Sequence, residues 1–187
     1  MKLKTIYLKT VRSTNDLAIN LITKQNTKPT LIKSLVQTKG KGTMGKKWVS
    51  QKGNIFISIF FEIHRKKISF RQFAILNAFL IKKVIKKYTS EKITIKWPND
   101  LLIKNKKVCG ILQEVIDKNG KKYLIVGLGI NTNTCPKGKN FISTSLKAMN
   151  KKKINNNHVT KDIKQLYENL IKNLNNNKFL QLKKKLL

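Results

Sequence analysis

The sequence predicts an α+β domain, and three observations carry that prediction. Two long segments with helical hydrophobic spacing, residues 69–88 and 160–174, bracket a block of strand-like runs. Two of those runs, residues 106–116 and 122–133, flank Asp117-Lys118-Asn119-Gly120, a turn sequence that suits an antiparallel hairpin. Strands and helices do not alternate one for one along the chain, which argues against a parallel doubly wound sheet.

Taken in order, residues 13–24 (STNDLAINLITK) open on the cap residues Ser13 and Thr14 and carry Asp16 in the first turn. Leu17, Ala18, Leu21 and Ile22 then recur at helical spacing. Residues 30–37 (TLIKSLVQ) form a strand that runs into a glycine-rich loop, and residues 54–63 (NIFISIFFEI) a strand rich in Ile and Phe. The helix at 69–88 places Phe70, Phe73, Ala74, Asn77, Ile81, Val84, Ile85 and Tyr88 on one stripe. Residues 92–97 form a strand stopped by Pro98, with Asp100 following Asn99 at its end. After the hairpin, residues 154–159 (INNNHV) are a polar linker. The last helix has Thr160 as its cap and Ile163, Leu166, Tyr167, Leu170, Ile171 and Leu174 on one face. The Asn and Lys runs near the C-terminus have the composition of solvated surface. The order is helix, strand, strand, helix, strand, hairpin, helix.

A chain of 187 residues, 40% hydrophobic, suits one domain with a real core, and two would be a squeeze. Its charge is the anomaly: 41 Lys+Arg against 8 Asp+Glu, a formal +33. Only Arg12, Arg65 and Arg71 are arginines. Readers of nucleic acid lean on arginine, whose planar fork contacts phosphate and guanine bidentately. Lysine spread along the whole length with abundant Asn and Ile is better explained by AT-rich codons, although such a field attracts polyanions non-specifically. Cys109 and Cys135 have no metal-ligand spacing and lie near neither His64 nor His158, so they read as reduced structural thiols of a cytoplasmic protein. No apolar run suits a signal peptide or a membrane span.

Residues 37–48 read QTKGKGTMGKKW. The stretch nearly fits a nucleotide-triphosphate loop, but Lys47 stands where a hydroxyl would ligate magnesium, and no helical periodicity follows. Glycines let backbone N–H groups converge on an anion while lysines supply charge, and such a loop is flexible enough to order only on its ligand. A solvated basic turn explains the loop equally well when it is taken alone.

Two further strings decide between these readings: KWPNDLLIKNKKVCGILQE (96–114) and VGLGINTN (126–133). With STN (13–15) and the glycine loop, they resemble the biotin–protein ligases in content, order and spacing, from about residue 6 onward. The resemblance implies a mixed, mainly antiparallel sheet backed by helices, akin to class II aminoacyl-tRNA synthetases. It implies an AMP-forming, ATP-dependent ligase that makes biotinyl-5′-AMP from biotin and Mg·ATP. Biotin then passes to a lysine of the biotin carboxyl carrier protein of acetyl-CoA carboxylase.

By that resemblance, Ser13, Thr14 and Asn15 meet the biotin head group and Gln37 lies over it. Gly40, Lys41 and Gly42 wrap the biotin carboxylate and the adenylate phosphate, with Lys41 among the catalytic groups. Thr43 and Lys46 belong to the adenylate side, and Trp48 lies near adenine, with a core tryptophan as the plain alternative. Lys96 and Asn99 meet ATP, and Asp100 helps place Mg2+, with an Asn-Asp turn as the plain alternative. Lys107 touches the biotin carboxyl oxygen, where a positive group stabilises the developing oxyanion. Gly110 lets backbone approach the ligand; Gly127, Gly129 and Asn131 sit on the strand lining the adenylate.

The chain departs from the family pattern in two ways. Lysines Lys41 and Lys46 replace arginines and Thr43 replaces a third, losing first the bidentate fork and then the charge. The expected domain is a single catalytic unit over 1–187, without the family's N-terminal winged helix or C-terminal small β-barrel, so specific DNA binding is not expected. Exposed strand edges could support a homodimer. A lipoate–protein ligase shares the chemistry but carries a different glycine motif. A non-enzymatic nucleic-acid binder would explain the charge but not four ordered motifs.

Overall fold

The computed structural model of the chain describes residues 2–63, 69–136 and 142–175. One seven-stranded sheet organises it: β1 (Lys4–Val11), β2 (Thr30–Gln37), β3 (Ile55–Ile63), β4 (Ile93–Lys96), β5 (Asp100–Ile103), β6 (Lys106–Lys118) and β7 (Lys121–Ile130). Their spatial order is β1-β2-β3-β7-β6-β5-β4. Only β1 and β2 run parallel, with helix α1 (Thr14–Thr23) as their crossover; every other pairing is antiparallel. The predicted α+β class and the 106–116/122–133 hairpin both hold.

Three elements escaped the sequence reading. β1 is an edge strand in which half-buried Ile6 and Leu8 flank exposed Tyr7 and sit among lysines and threonines, so its apolar signal is thin. β5 is four residues long and directly follows the Trp97-Pro98-Asn99 turn from β4. Asp100 therefore opens β5, opposite Lys96, rather than trailing the preceding strand. Helix α3 (Leu146–Asn150) is a short turn capped by the Ser145 hydroxyl.

The last helix, α4 (Asn156–Asn175), starts four residues before the expected cap. The Asn155 side chain accepts from the N–H groups of Asn157 and His158, and the Thr160 hydroxyl donates back to Asn156 O inside the helix. Asparagine ranks with serine as a helix cap, so the run called a linker is the helix start. Helix α2 (Phe70–Lys86) begins on a reciprocal Ser69/Gln72 capping box. Its predicted stripe is buried at Phe73, Asn77, Ile81, Val84 and Ile85, while Phe70 is exposed. The C-terminal Asn/Lys runs expected to be solvated surface lie largely outside the described residues, as does His64.

The two sheet faces have unequal cover. One packs Ile55, Ile57, Ile59 and Phe61 of β3 and Leu124 and Val126 of β7 against α2 and α4. Buried apolar area of this kind is the main driving force for folding. Tyr167 OH donates to Asn77 Oδ1 inside that layer, and Asn77 Nδ2 donates to Gln113 Oε1, so the buried polar groups there are paired. The other face carries a smaller cluster in which Ala18 and Ile22 of α1 meet Ile32, Phe60, Tyr123 and Ile125. Helix α1 covers only part of this second face, and the rest is the wall of a cleft. Among the described residues, no helix is long and apolar enough to cross a membrane.

Candidate functional site

Strand register builds the floor of the cleft. Phe56, Gly129, Gly110, Asp100 and Lys96 face one another across β3, β7, β6, β5 and β4, and Ser58, Gly127 and Leu112 form the row beside them. The three glycines leave the floor without side chains, and two larger groups lie on it. A Cβ on Gly127 would fall on the Asn15 amide, and one on Gly129 on the Trp48 indole. A Cβ on Gly110 would sit 2.6 Å from Trp48 Cζ3. Glycine was expected here for close approach, and what approaches is this chain's own Asn15 and Trp48.

The cleft so formed measures about 890 Å³, in the range of small-molecule sites. It brings together Ser13, Thr14, Asn15, Gln37, Lys41, Gly42, Thr43, Lys46, Trp48, Lys96, Asn99, Asp100, Lys107, Gly110, Gly127, Gly129 and Asn131, residues spread over more than a hundred positions of sequence. Of the residues singled out from sequence, only Gly40 is absent from the lining. It sits behind, where a Cβ would meet the Trp48 carbonyl, Ser50 Oγ and Gln37 Nε2, so its smallness serves the base of the loop.

At one end of the cleft the groups are polar and uncharged. Ser13 is the N-cap of α1, accepting from Asp16 N–H. Gln37 Oε1 accepts from both the N–H and the hydroxyl of Thr14, and Gln37 Nε2 donates to Ser50 Oγ at 3.0 Å. Cationic groups line the rest of the cleft: Lys46, Lys47, Lys96 and Lys107 with Asp100, and Lys41 beside α1. A lysine-rich wall of this kind suits phosphate. Lys41 is ion-paired with Asp16 at the first turn of α1.

The glycine loop is closed by backbone bonds rather than open. Trp48 N–H donates to Gly40 O, Gly42 N–H to Lys46 O and Lys46 N–H to Thr43 O. Met44 and Gly45 take left-handed backbone in the tight turn Thr43–Gly45. Asn99 Nδ2 donates to Ile111 O at 3.2 Å and lies 3.4 Å from Thr43 Oγ1, tying the turn to the sheet. Gly45 supplies a left-handed position that this tight turn needs. No α-helix follows the loop, which rules out the strand–loop–helix phosphate motif.

Lys107 reaches the cleft through a β-bulge. Leu101 pairs with Cys109 but Leu102 pairs with Lys107, so Val108 is the extra residue. One inserted residue flips the side-chain alternation, which is how bulges re-aim a side chain. Lys107 Nζ consequently lies on the Gly110 face, 2.7 Å from Asp100 Oδ1 and 5.2 Å from the centre of a Trp48 ring. Both backbone groups of Lys107 are also tied down, by Ile142 O and Thr144 N–H. Trp48 is half-buried against glycines, so the core-tryptophan reading falls away. Trp48 Nε1 and Asn131 Oδ1 are buried without a partner, and both line the cleft. Few buried side-chain polar atoms lack a partner, and these two are open positions in the cleft, Trp48 Nε1 for a ligand acceptor and Asn131 Oδ1 for a ligand donor. Burial pushes the Cys109 thiol well up, outweighing the effect of nearby Lys107, as suits an inert structural thiol.

Sequence reasoning missed Ser50, Ser58 and Ile142, and it gave no individual role to Leu102, Asn105, Leu112 and Glu114 within the 96–114 string. Ser58 is the lone hydroxyl in a strand of Ile and Phe broken otherwise only by Glu62, and Glu114 is one of only 8 acids. Those two oddities were the available signals.

The sequence model of the Biotin/lipoate A/B protein ligase family matches residues 7–131 of this chain. The chain belongs to that family. Among curated biotin/lipoate ligase relatives, the Bifunctional ligase/repressor BirA of Bacillus spizizenii is 32% identical over 169 residues, covering 87% of this chain and 52% of the relative. The protein of the same name from Escherichia coli is 32% identical over 97 residues, covering 51% of this chain and 30% of the relative. The chain therefore spans roughly a third to a half of the length of these relatives. A solved biotin protein ligase from Aquifex aeolicus, in complex with biotin and ATP, superposes with a TM-score of 0.75 at 30% identity. It covers 92% of this chain and 72% of that one. The mixed seven-stranded sheet with flanking helices is this family's catalytic fold.

Proposed function

We propose that the chain is the catalytic part of a biotin–protein ligase, which joins biotin to ATP as biotinyl-5′-AMP and then to a lysine of an acceptor protein. The observation that carries the reading is the mixed lining of one continuous cleft: uncharged hydrogen-bonding groups at Thr14, Asn15 and Gln37, together with a set of lysines that includes Lys107. That the A. aeolicus relative was solved with biotin and ATP supports a site that takes both ligands.

In this reading the head ring of biotin lies at the Thr14–Gln37 end and its carboxylate reaches Lys107. The carboxylate oxygen attacks the α-phosphorus of ATP, the bond to the β-phosphate oxygen breaks, and pyrophosphate leaves. Lys107 leaves Asp100 for the carboxyl oxygen, holds the carboxylate against the α-phosphate and offsets charge growing on the phosphoryl oxygens. Lys41, Lys46 and Lys96 hold the phosphates. The orphaned Trp48 Nε1 and Asn131 Oδ1 face the nucleotide. In the second step an acceptor lysine amine attacks the carbonyl, AMP departs, and the amine loses a proton. Lys107 now faces the oxyanion that forms on the attacked carbonyl.

Mg2+ fits the site in one way only. Among the described residues no three His, Cys, Asp or Glu side chains gather to hold a metal. Mg2+ commonly binds through one carboxylate plus substrate phosphates, and Asp100 among the lysines of the cleft offers that carboxylate. Bound so, the ion would neutralise phosphate charge. The acceptor we infer is the biotin carboxyl carrier protein of acetyl-CoA carboxylase, on family resemblance.

Pyrophosphate release tests the reading. It should require both biotin and ATP, and lipoate should not replace biotin. Equal release with lipoate would make the chain a lipoate ligase instead, and release with neither would remove the adenylation chemistry altogether.

A further inference from the structure

Four oxygens stand in a row at the uncharged end of the cleft: Asn15 Oδ1, Ser58 Oγ, Thr14 Oγ1 and Gln37 Oε1. Ser58 Oγ is in hydrogen-bonding contact with Asn15 Oδ1 and lies 2.7 Å from Thr14 Oγ1, which lies 3.0 Å from Gln37 Oε1. Three contacts need three protons, and the row owns only the two hydroxyl protons of Ser58 and Thr14. The count would close if either terminal amide turned its nitrogen inward. Gln37 cannot, because its Oε1 also takes the Thr14 N–H at 2.8 Å while its Nε2 donates to Ser50. Asn15 cannot, because its Nδ2 donates to Glu114 Oε2 at 2.6 Å. A carboxylate accepts and never donates, so it dictates which way that amide faces.

Both ends of the row are therefore acceptors. Ser58 donates to Asn15, Thr14 donates to Gln37, and the Ser58–Thr14 contact is left without a proton. Ser58 is sealed beneath, but Asn15, Thr14 and Gln37 line the cleft, so lone pairs face the ligand.

We propose that Glu114 is a positioning residue that sets the hydrogen-bond polarity of this end of the cleft: by locking the Asn15 amide it keeps the row one donor short, so the site takes a head group that donates N–H bonds. The proposal rests on the biotin reading, since the cyclic urea of biotin carries two N–H donors. Glu114 does not line the cleft and acts only through Asn15. Gly127 contributes the bare floor on which the amide lies.

Glu114→Gln separates this role from mere support, because it keeps size and shape and removes the directional constraint. A Gln at 114 can donate to Asn15 Oδ1 and let the Asn15 amide turn. Asn15 Nδ2 then donates to Ser58, Ser58 to Thr14, and Thr14 to Gln37. Every contact gains a proton and the row is saturated from within. Native protein and E114Q are to be titrated with biotin and melted thermally, each also in a Ser58→Ala background. The expected result is a loss of about tenfold in biotin affinity, the net size of one hydrogen bond, with a Tm equal to or above the native value. With Ser58→Ala the row is cut, and E114Q should then change affinity by less than about twofold, the non-additivity expected of residues coupled through one hydrogen-bond network. Native-like biotin affinity in E114Q overturns the proposal. So does a parallel fall of affinity and Tm, or failure to fold, since either makes Glu114 a structural prop. A native chain that does not bind biotin refutes the ligase reading instead.

Discussion

Replacing Lys107 with methionine keeps the aliphatic stem against Gly110 and Trp48 and removes only the ammonium group. Two consequences can be separated by size. The first is on stability. The Lys107 and Asp100 side chains are 26% and 20% exposed, deeper than a surface pair but still reached by water. Exposed pairs contribute about 0.2–1 kcal/mol, so the upper end, about 1 kcal/mol, is the appropriate figure here. For a domain of this size that lowers Tm by about 2–4 °C. The second is on rate. In adenylation the ammonium holds the biotin carboxylate against the α-phosphate and offsets charge growing on the phosphoryl oxygens, and loss of one such preorganised group costs about 2.7–4 kcal/mol of barrier, a factor of roughly a hundred to a thousand. Lys107→Met should therefore remain folded at 25 °C and release pyrophosphate from biotin and ATP at least a hundredfold more slowly than the native chain. A rate within threefold of native would mean that Lys107 serves only to pair Asp100, and the catalytic assignment would be wrong.

Three other perturbations follow from the same geometry. Gly129→Ala puts a methyl group into the Trp48 ring, a movable side chain, so Tm should shift little while affinity for ATP falls by about tenfold or more; unchanged affinity by titration would detach Trp48 from nucleotide binding. Thr43→Arg adds a cation beside Asn99, and a charged hydrogen bond to phosphate is worth about 1.5–3 kcal/mol, so pre-formed biotinyl-5′-AMP should dissociate about tenfold to a hundredfold more slowly; an equal off-rate would leave retention to other residues. Asp162 accepts from Lys87 at 3.0 Å, and chiefly this bond holds its carboxyl below the usual 3.8. A lowered folded-state value stabilises above the unfolded value and is lost as pH falls through the folded one, so Asp162→Asn should cost stability at pH 6 and progressively less below about pH 3.8; a pH-independent difference in denaturant midpoint would show the carboxylate charge to be irrelevant.

Much of the site was legible because its elements carry local signals. The α1 start is written in Ser13 and Asp16, the loop in Gly40, Gly42 and Gly45, and the close approaches in Gly127 and Gly129, whose presence inside a strand needs a reason. What escaped is long-range or short-lived in sequence. The Asn15–Glu114 bond spans 99 positions, and no local pattern marks it. The Val108 bulge that turns Lys107 into the cleft appears only when β5 is paired with β6. β1 hides because an edge strand can carry lysine on its open side. The early start of α4 hides because Asn155 lies in an asparagine run that looks like linker. Net charge was the loudest signal and told least about the site, since one Asp100 and one Asn15 correctly oriented matter more there than the general field.

The account stands or falls on whether this chain makes biotinyl-5′-AMP. Purified protein incubated with biotin, ATP and Mg2+, quenched and resolved by liquid chromatography with mass detection, should yield biotinyl-5′-AMP and pyrophosphate in equal amounts. Both should disappear when biotin is replaced by lipoate, and fall at least a hundredfold with Lys107→Met. An adenylate of lipoate in place of that of biotin would contradict the assigned substrate. No adenylate of either, from protein shown to be folded and to bind biotin, would contradict the assigned chemistry.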